Sequence, residues 1–263
     1  MYQFYKTKYS DGVLKKSRKE LKRLYEQVPE TEGCKENIAK EGGCGAWCCE
    51  HQTPMVMYAE FLNTWNTILN MRPADKIASL LVKAVRLYLN GKPTKGCIFW
   101  DRSSKLCTQH STRPLNCRVY GQIPDEEFKP RYERLKVMYK DSPSAVIREQ
   151  CGIVKSVGIR PTKKDTDTWQ HHLEQIEAGL VPKDLIHDRV GGSYRTYHDH
   201  ILLRMGNPDF LAELTDVRLT GTKEQKEEYV AKLVAKLKKT HPYLEETEDE
   251  DAGRTAAGNS DGT

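Results

Sequence analysis

All eight cysteines of this 263-residue chain lie between Cys34 and Cys151, and none follows. Three fall within "GGCGAWCCEH", residues 42–51, where Cys48 and Cys49 are adjacent. Isolated core thiols place little demand on a backbone. Crowded thiols require one that brings sulfur atoms from distant segments together. The compartment decides how they are read. The opening stretch "MYQFYKTKYSDGVLKK" has no apolar secretory region, and no apolar run reaches the roughly 20 residues that span a bilayer. The longest apolar-rich run, "KIASLLVKAVRLYL", is broken by Lys83 and Arg86. The expectation is a cytoplasmic protein with no membrane partner, whose grouped cysteines bind metal rather than form disulfides.

Two helices separate the cysteine groups. "PMVMYAEFLNTWNTILNM" (54–71) places Met57, Phe61, Trp65, Ile68 and Leu69 on one side, with Pro54 near its start. "PADKIASLLVKAVRLYLNG" (73–91) carries the stripe Ile77, Leu80, Leu81, Ala84 and Leu87, and Gly91 follows it. A helical hairpin of this length returns the chain to its start, so Cys97, Cys107 and Cys117 can meet Cys34, Cys44, Cys48 and Cys49. Before the cysteines, residues 12–27 space Leu14, Leu21 and Tyr25 as one face of a basic amphipathic helix. A further helix is expected after Pro130, and others over 165–179, 198–206 and 222–241, the last with Tyr229, Leu233 and Leu237 four apart. The predicted fold is mainly α: a loop-rich cysteine core for metal, clamped by helices, with a C-terminal helical extension. Its expected divisions are the basic helix (1–28), the cysteine domain (29–160), the extension (161–244) and a disordered acidic tail (245–263).

Thiolates suit zinc and iron–sulfur clusters, whereas magnesium and calcium need oxygen ligands. Structural zinc usually takes short C-x-x-C pairs, and this chain has none. Adjacent cysteines point in different directions and serve two metals, or a cluster, more naturally than one tetrahedral ion. Cys34, Cys44, Cys48, Cys49, Cys97, Cys107, Cys117 and Cys151 are therefore candidate ligands, with an iron–sulfur cluster the better fit and zinc the alternative.

"CGAWCC" (44–49), "CIFWDRSSKLCTQHSTRPLNCRVY" (97–120) and "CGI" (151–153) resemble the YkgJ-like cysteine-cluster family, described as zinc- or iron-chelating. The resemblance covers roughly residues 34–153. The chain departs from the family pattern in three places. Nine residues separate Cys34 from Cys44, Thr108-Gln109-His110 replaces the x-I-Y after a cysteine, and no proline follows Cys151. One branch of the family is associated with protein lysine methylation, so the resemblance also implies modification of a macromolecule. No glycine-rich loop for the methyl donor is present.

Arg113 and Arg118 of "RPLNCR" suit an outer shell that offsets thiolate charge, with Asp101 a candidate to orient one of them. His51 and His110 flank cysteines and are weaker candidates to replace a thiolate. His171–His172 and the run containing His187, His198 and His200 offer acid–base chemistry. His198 and His200 chelate together only if they lie on a strand or loop, because a helix would splay them.

Charge suggests partners without fixing them. Seven acids against Arg254 give residues 245–263 a charge of −6, so with +5 overall the remainder carries +11. Such a surface suits nucleic acid or an acidic protein, and equally a plain solvated exterior. Three roles fit: a cluster protein for redox chemistry or macromolecule modification, a zinc-stabilised module that binds a macromolecule, and a metal carrier. No motif assigns a catalytic residue, so enzyme and non-enzyme readings both stand.

Overall fold

The computed structural model describes residues 11–32, 49, 53–90, 96–101, 103–104, 106–122, 124, 155–156, 158–180 and 194–244, with a few positions between 126 and 137. Cys34, Cys44, Cys48, Cys151, His51, His187 and the acidic tail lie outside the described residues.

The described residues are mainly α-helical. The chain begins with α1 (Asp11–Tyr25), β1 (Thr31–Glu32) and β2 (Met55–Val56), followed by the long pair α2 (Tyr58–Met71) and α3 (Ala74–Asn90). A hairpin of β3 (Trp100–Asp101) and β4 (Leu106–Cys107) leads through a 3-10 turn at His110–Thr112 into the short α4 (Leu115–Val119). Then come β5 (Lys155–Ser156), α5 (Lys163–Ala178), β6 (Arg195–Thr196), α6 (Tyr197–Met205), α7 (Pro208–Thr220) and α8 (Lys223–Lys238). Glu133, Arg134 and Val137 are helical, where a helix after Pro130 is expected.

The short α4 falls where the sequence reads as loop, and three longer helices differ from their sequence expectation for identifiable reasons. α2 starts at Tyr58 rather than at Pro54, because Met55 and Val56 pair antiparallel with Thr196 and Arg195. Val56 is fully buried in that pairing, so the ladder and the core together outweigh the proline signal. α5 starts earlier than Asp165 because Thr162 and Asp165 form a capping box: the Asp165 carboxylate accepts the Thr162 N–H at 2.8 Å, and the Thr162 hydroxyl accepts from the Asp165 N–H. α7 has no counterpart among the expected helices. Asn207 caps it, accepting the Phe210 N–H at 2.8 Å, and Pro208 occupies its start.

Two apolar clusters share α2 between them. On one side Phe61, Trp65 and Ile68 meet Leu81 and Val85 of α3, Ile201 and Met205 of α6, Leu214 of α7 and Leu233 of α8. On the other, Met57 and Ala59 join Leu21 and Leu24 of α1, Leu115 and Val119 of α4, and Trp169 and Leu173 of α5. Each such side chain contributes about 1.5–3 kcal/mol when fully buried. The helices beyond residue 160 thus pack directly on those flanking the cysteines.

Candidate metal centre

The first turn of α2 is capped by two carboxylates. Glu177 of α5 accepts the backbone N–H groups of Tyr58 at 3.1 Å and Ala59 at 2.6 Å. Glu60 accepts the Met57 N–H at 3.2 Å, the Tyr25 hydroxyl at 2.9 Å and the Leu115 N–H at 2.6 Å. Both carboxyl groups are buried at the positive end of a helix, each satisfied by several donors. Burial pushes the Glu60 carboxyl above its usual range, against the pull of those hydrogen bonds. Burial beside Glu60 raises the Tyr25 hydroxyl well above its ordinary value. Through Leu115, Glu60 fixes the start of α4, which carries Cys117.

The helical hairpin does bring its two ends together. The Cys97 N–H donates to the Cys49 carbonyl, and the Thr53 hydroxyl donates to the Gly96 carbonyl at 3.2 Å. Cys107 stands opposite Trp100 in the β3–β4 ladder, and the Thr108 N–H returns to the Phe99 carbonyl at 2.8 Å. Lys83 of α3 ties this hairpin down by donating to the Trp100 carbonyl at 3.0 Å. Cys97 is buried, and Cys49, Cys107 and Cys117 are half-buried. The buried Tyr197 hydroxyl bonds Thr64 at 3.1 Å and feels both Cys97 and Cys117, with burial the main cause of its strongly raised pKa. Among the described residues, no three His, Cys, Asp or Glu side chains are grouped to hold a metal ion.

Residues 40–152 match the model of the CxxCxxCC family, described as "Putative zinc- or iron-chelating domain". That segment of the chain is similar to the CxxCxxCC family. No curated protein and no solved structure matches the chain. Seven of the eight cysteines lie within the CxxCxxCC segment, and Cys34 precedes it. The match supports a metal-binding protein.

The predicted accessory residues separate. Arg118 donates Nε to the Arg113 carbonyl at 2.8 Å and Nη2 to the Ser111 carbonyl at 3.1 Å, bracing the loop before Cys117. Its guanidinium lies 4.2 Å from the Tyr25 ring centre. Burial lowers its pKa, with Tyr25, Cys117 and Glu60 acting in the opposite direction. Asp101 is engaged in the β3–β4 turn, where its carboxylate accepts from the Ser103 N–H and from the Ser103 and Ser104 hydroxyls. His198 and His200 both lie on α6, the geometry that splays them. His200 is buried, stacked on Phe61 with ring centres 4.8 Å apart, and its Nε2 meets the Val56 carbonyl at 3.2 Å. Burial lowers the pKa of His198. The two buried carboxylates, Glu60 and Glu177, are the organising residues that sequence reasoning missed. No helix among the described residues is long and apolar enough to cross a membrane.

Proposed function

We propose that the cysteines of the CxxCxxCC-like segment hold an iron–sulfur cluster, alone or with a second metal, that serves redox chemistry or modification of a macromolecule. The observation that carries this reading is the backbone bond from Cys97 to Cys49, which joins two cysteine segments separated by α2 and α3. The donor chemistry fits: half-buried and buried thiols are soft ligands suited to iron or zinc, and the nearby Arg118 guanidinium offsets thiolate charge at Cys117. The adjacent Cys48 and Cys49, with no C-x-x-C pair, favour a cluster over one tetrahedral ion. The ligand set we propose is Cys44, Cys48, Cys49, Cys97, Cys107, Cys117 and Cys151, with Cys34 joining from outside the matched segment. When bound, a cluster supplies one-electron transfer. The chain's own contribution is to shield the thiols behind α2 and to fix α4 through Glu60.

Anaerobic purification followed by metal and acid-labile sulfide analysis tests this. Iron with sulfide and broad absorption near roughly 400 nm are expected of thiolate-held clusters. Colourless protein with stoichiometric zinc overturns the cluster. That result would favour the second reading, a zinc-stabilised module for nucleic acid or a protein partner, supported by the +11 charge outside the tail. Its own signature is binding to nucleic acid that weakens steeply with salt.

A further inference from the structure

A cleft of about 900 Å³ separates α1 from the loop that leads to Cys117. Arg18, Lys22 and Tyr25 of α1 form one wall, at the spacing that places side chains on one helical face. Arg113 and Arg118 form the other, and Asn63 of α2 contributes to the lining. Four cationic side chains therefore face two carboxylates, Glu26 and Glu30. One of those carboxylates is already engaged, since Glu26 pairs with Lys22 at 3.8 Å.

We propose that this cleft binds the phosphate group of a small organic phosphate. Several observations lead there. Arg118 is held in place before any ligand arrives, by its bonds to the Ser111 and Arg113 carbonyls and its position over Tyr25. Those contacting partners are neutral, and among the described residues no carboxylate lies within ion-pair distance of Arg118, although Cys117 and the buried Glu60 act on it at longer range. Arg18 likewise has no carboxylate within ion-pair distance among the described residues. A guanidinium braced on one wall, facing cationic side chains on the other, is an arrangement that grips a multiply charged oxyanion through several charge-assisted hydrogen bonds. The volume lies within the range of small-molecule clefts. The Tyr25 ring carries Arg118 rather than offering an open stacking platform, which favours recognition of charge over the base stacking of a nucleic-acid strand. All the residues involved are described, and none of the binding requires the metal.

Isothermal titration of the full chain with ADP, inorganic pyrophosphate and a single-stranded oligonucleotide tests the proposal. Saturable binding of ADP is expected, with pyrophosphate binding the same cleft and distinguishing a free phosphate from an ester by their relative affinities. Arg18→Glu, with native helix content checked by circular dichroism, should weaken binding by roughly tenfold or more, because it reverses one charge facing the phosphate. Lys239→Glu, outside the cleft, should leave it unchanged. Absence of saturable binding overturns the proposal, as does binding that Arg18→Glu does not alter. Binding of the oligonucleotide alone would replace a small-molecule cleft by a nucleic-acid surface and overturn it too.

Discussion

Glu177 Oε2 accepts the Ala59 N–H at 2.6 Å, although the two residues are 118 positions apart in the chain. Its other oxygen accepts from Tyr58 at 3.1 Å, so one side chain of α5 satisfies two of the backbone donors that any helix leaves open at its start. The bond also joins a helix beyond the CxxCxxCC segment to the first turn of a helix within it. Removing the carboxylate leaves buried N–H groups without an acceptor. Glu177→Ala should therefore cost on the order of 3 kcal/mol, the penalty for orphaned buried donors. Urea unfolding measures it, and an unchanged midpoint contradicts the capping role.

Glu60 predicts a pH dependence with a definite sign. Burial raises its folded pKa above the ordinary 4.5, so the folded state holds the proton more tightly than the unfolded chain. The stability this contributes is fully present below about pH 4.5 and is lost as pH rises through the higher folded value. Glu60→Gln cannot titrate, so the wild type should lose stability relative to this variant as pH increases from that point. Denaturant unfolding at a series of pH values tests it. Parallel curves for the two proteins would sink the idea.

Part of this architecture is legible in the sequence. The stripes of α3 and α8 repeat often enough to mark both helices, and the pair α2–α3 implies the return that places Cys97 beside Cys49. Glu177 is a different case. It sits in "LEQIEA" with the same local pattern as the exposed Glu174, and only a partner far along the chain makes it buried. Glu60 is hidden in the same way among the apolar residues of α2. The ladders β1–β5, β2–β6 and β3–β4 are two residues long per strand, too short for an alternating pattern to register. α7 buries only Phe210 and Leu214, so its periodicity is faint, and Asn207-Pro208 is the signal that marks its start.

The proposed ligand role of Cys97 separates from its packing role. Cys97 is buried within the larger apolar cluster, and Cys49 is half-buried against it. Cys49→Ser and Cys97→Ser keep the side-chain size close to native while removing the soft donor. Each should reduce metal affinity by more than the roughly 10–100-fold typical of an outer-shell change. Cys97→Ala serves as the packing control, since it too loses metal but adds a small cavity. Full metal retention in Cys49→Ser removes that residue from the ligand set.

Gly206 ends α6 at a point where no side chain fits. Its N–H closes the helix by donating to the Leu202 carbonyl at 2.8 Å. A Cβ built there would stand 2.9 Å from that same backbone oxygen and 2.6 Å from Cδ1 of Phe210. The phenyl ring can rotate only within the core it shares with Leu214, and the carbonyl is held by the helix. Gly206→Ala should therefore destabilise the protein by about 1–3 kcal/mol through overpacking, despite the usual gain from restricting an unfolded glycine. Gly158 supplies the contrast, because a Cβ there meets no atom within 4 Å and its difficulty is the backbone angle, φ +88°. Thermal unfolding of Gly206→Ala, Gly158→Ala and the double variant separates the two causes. Gly206 and Gly158 share no contact, so their effects should add. If Phe210→Leu, which shortens the clashing ring, restores part of the Gly206→Ala loss beyond its own cost, the clash is located at that contact; a purely additive double variant places the strain at the Leu202 carbonyl instead.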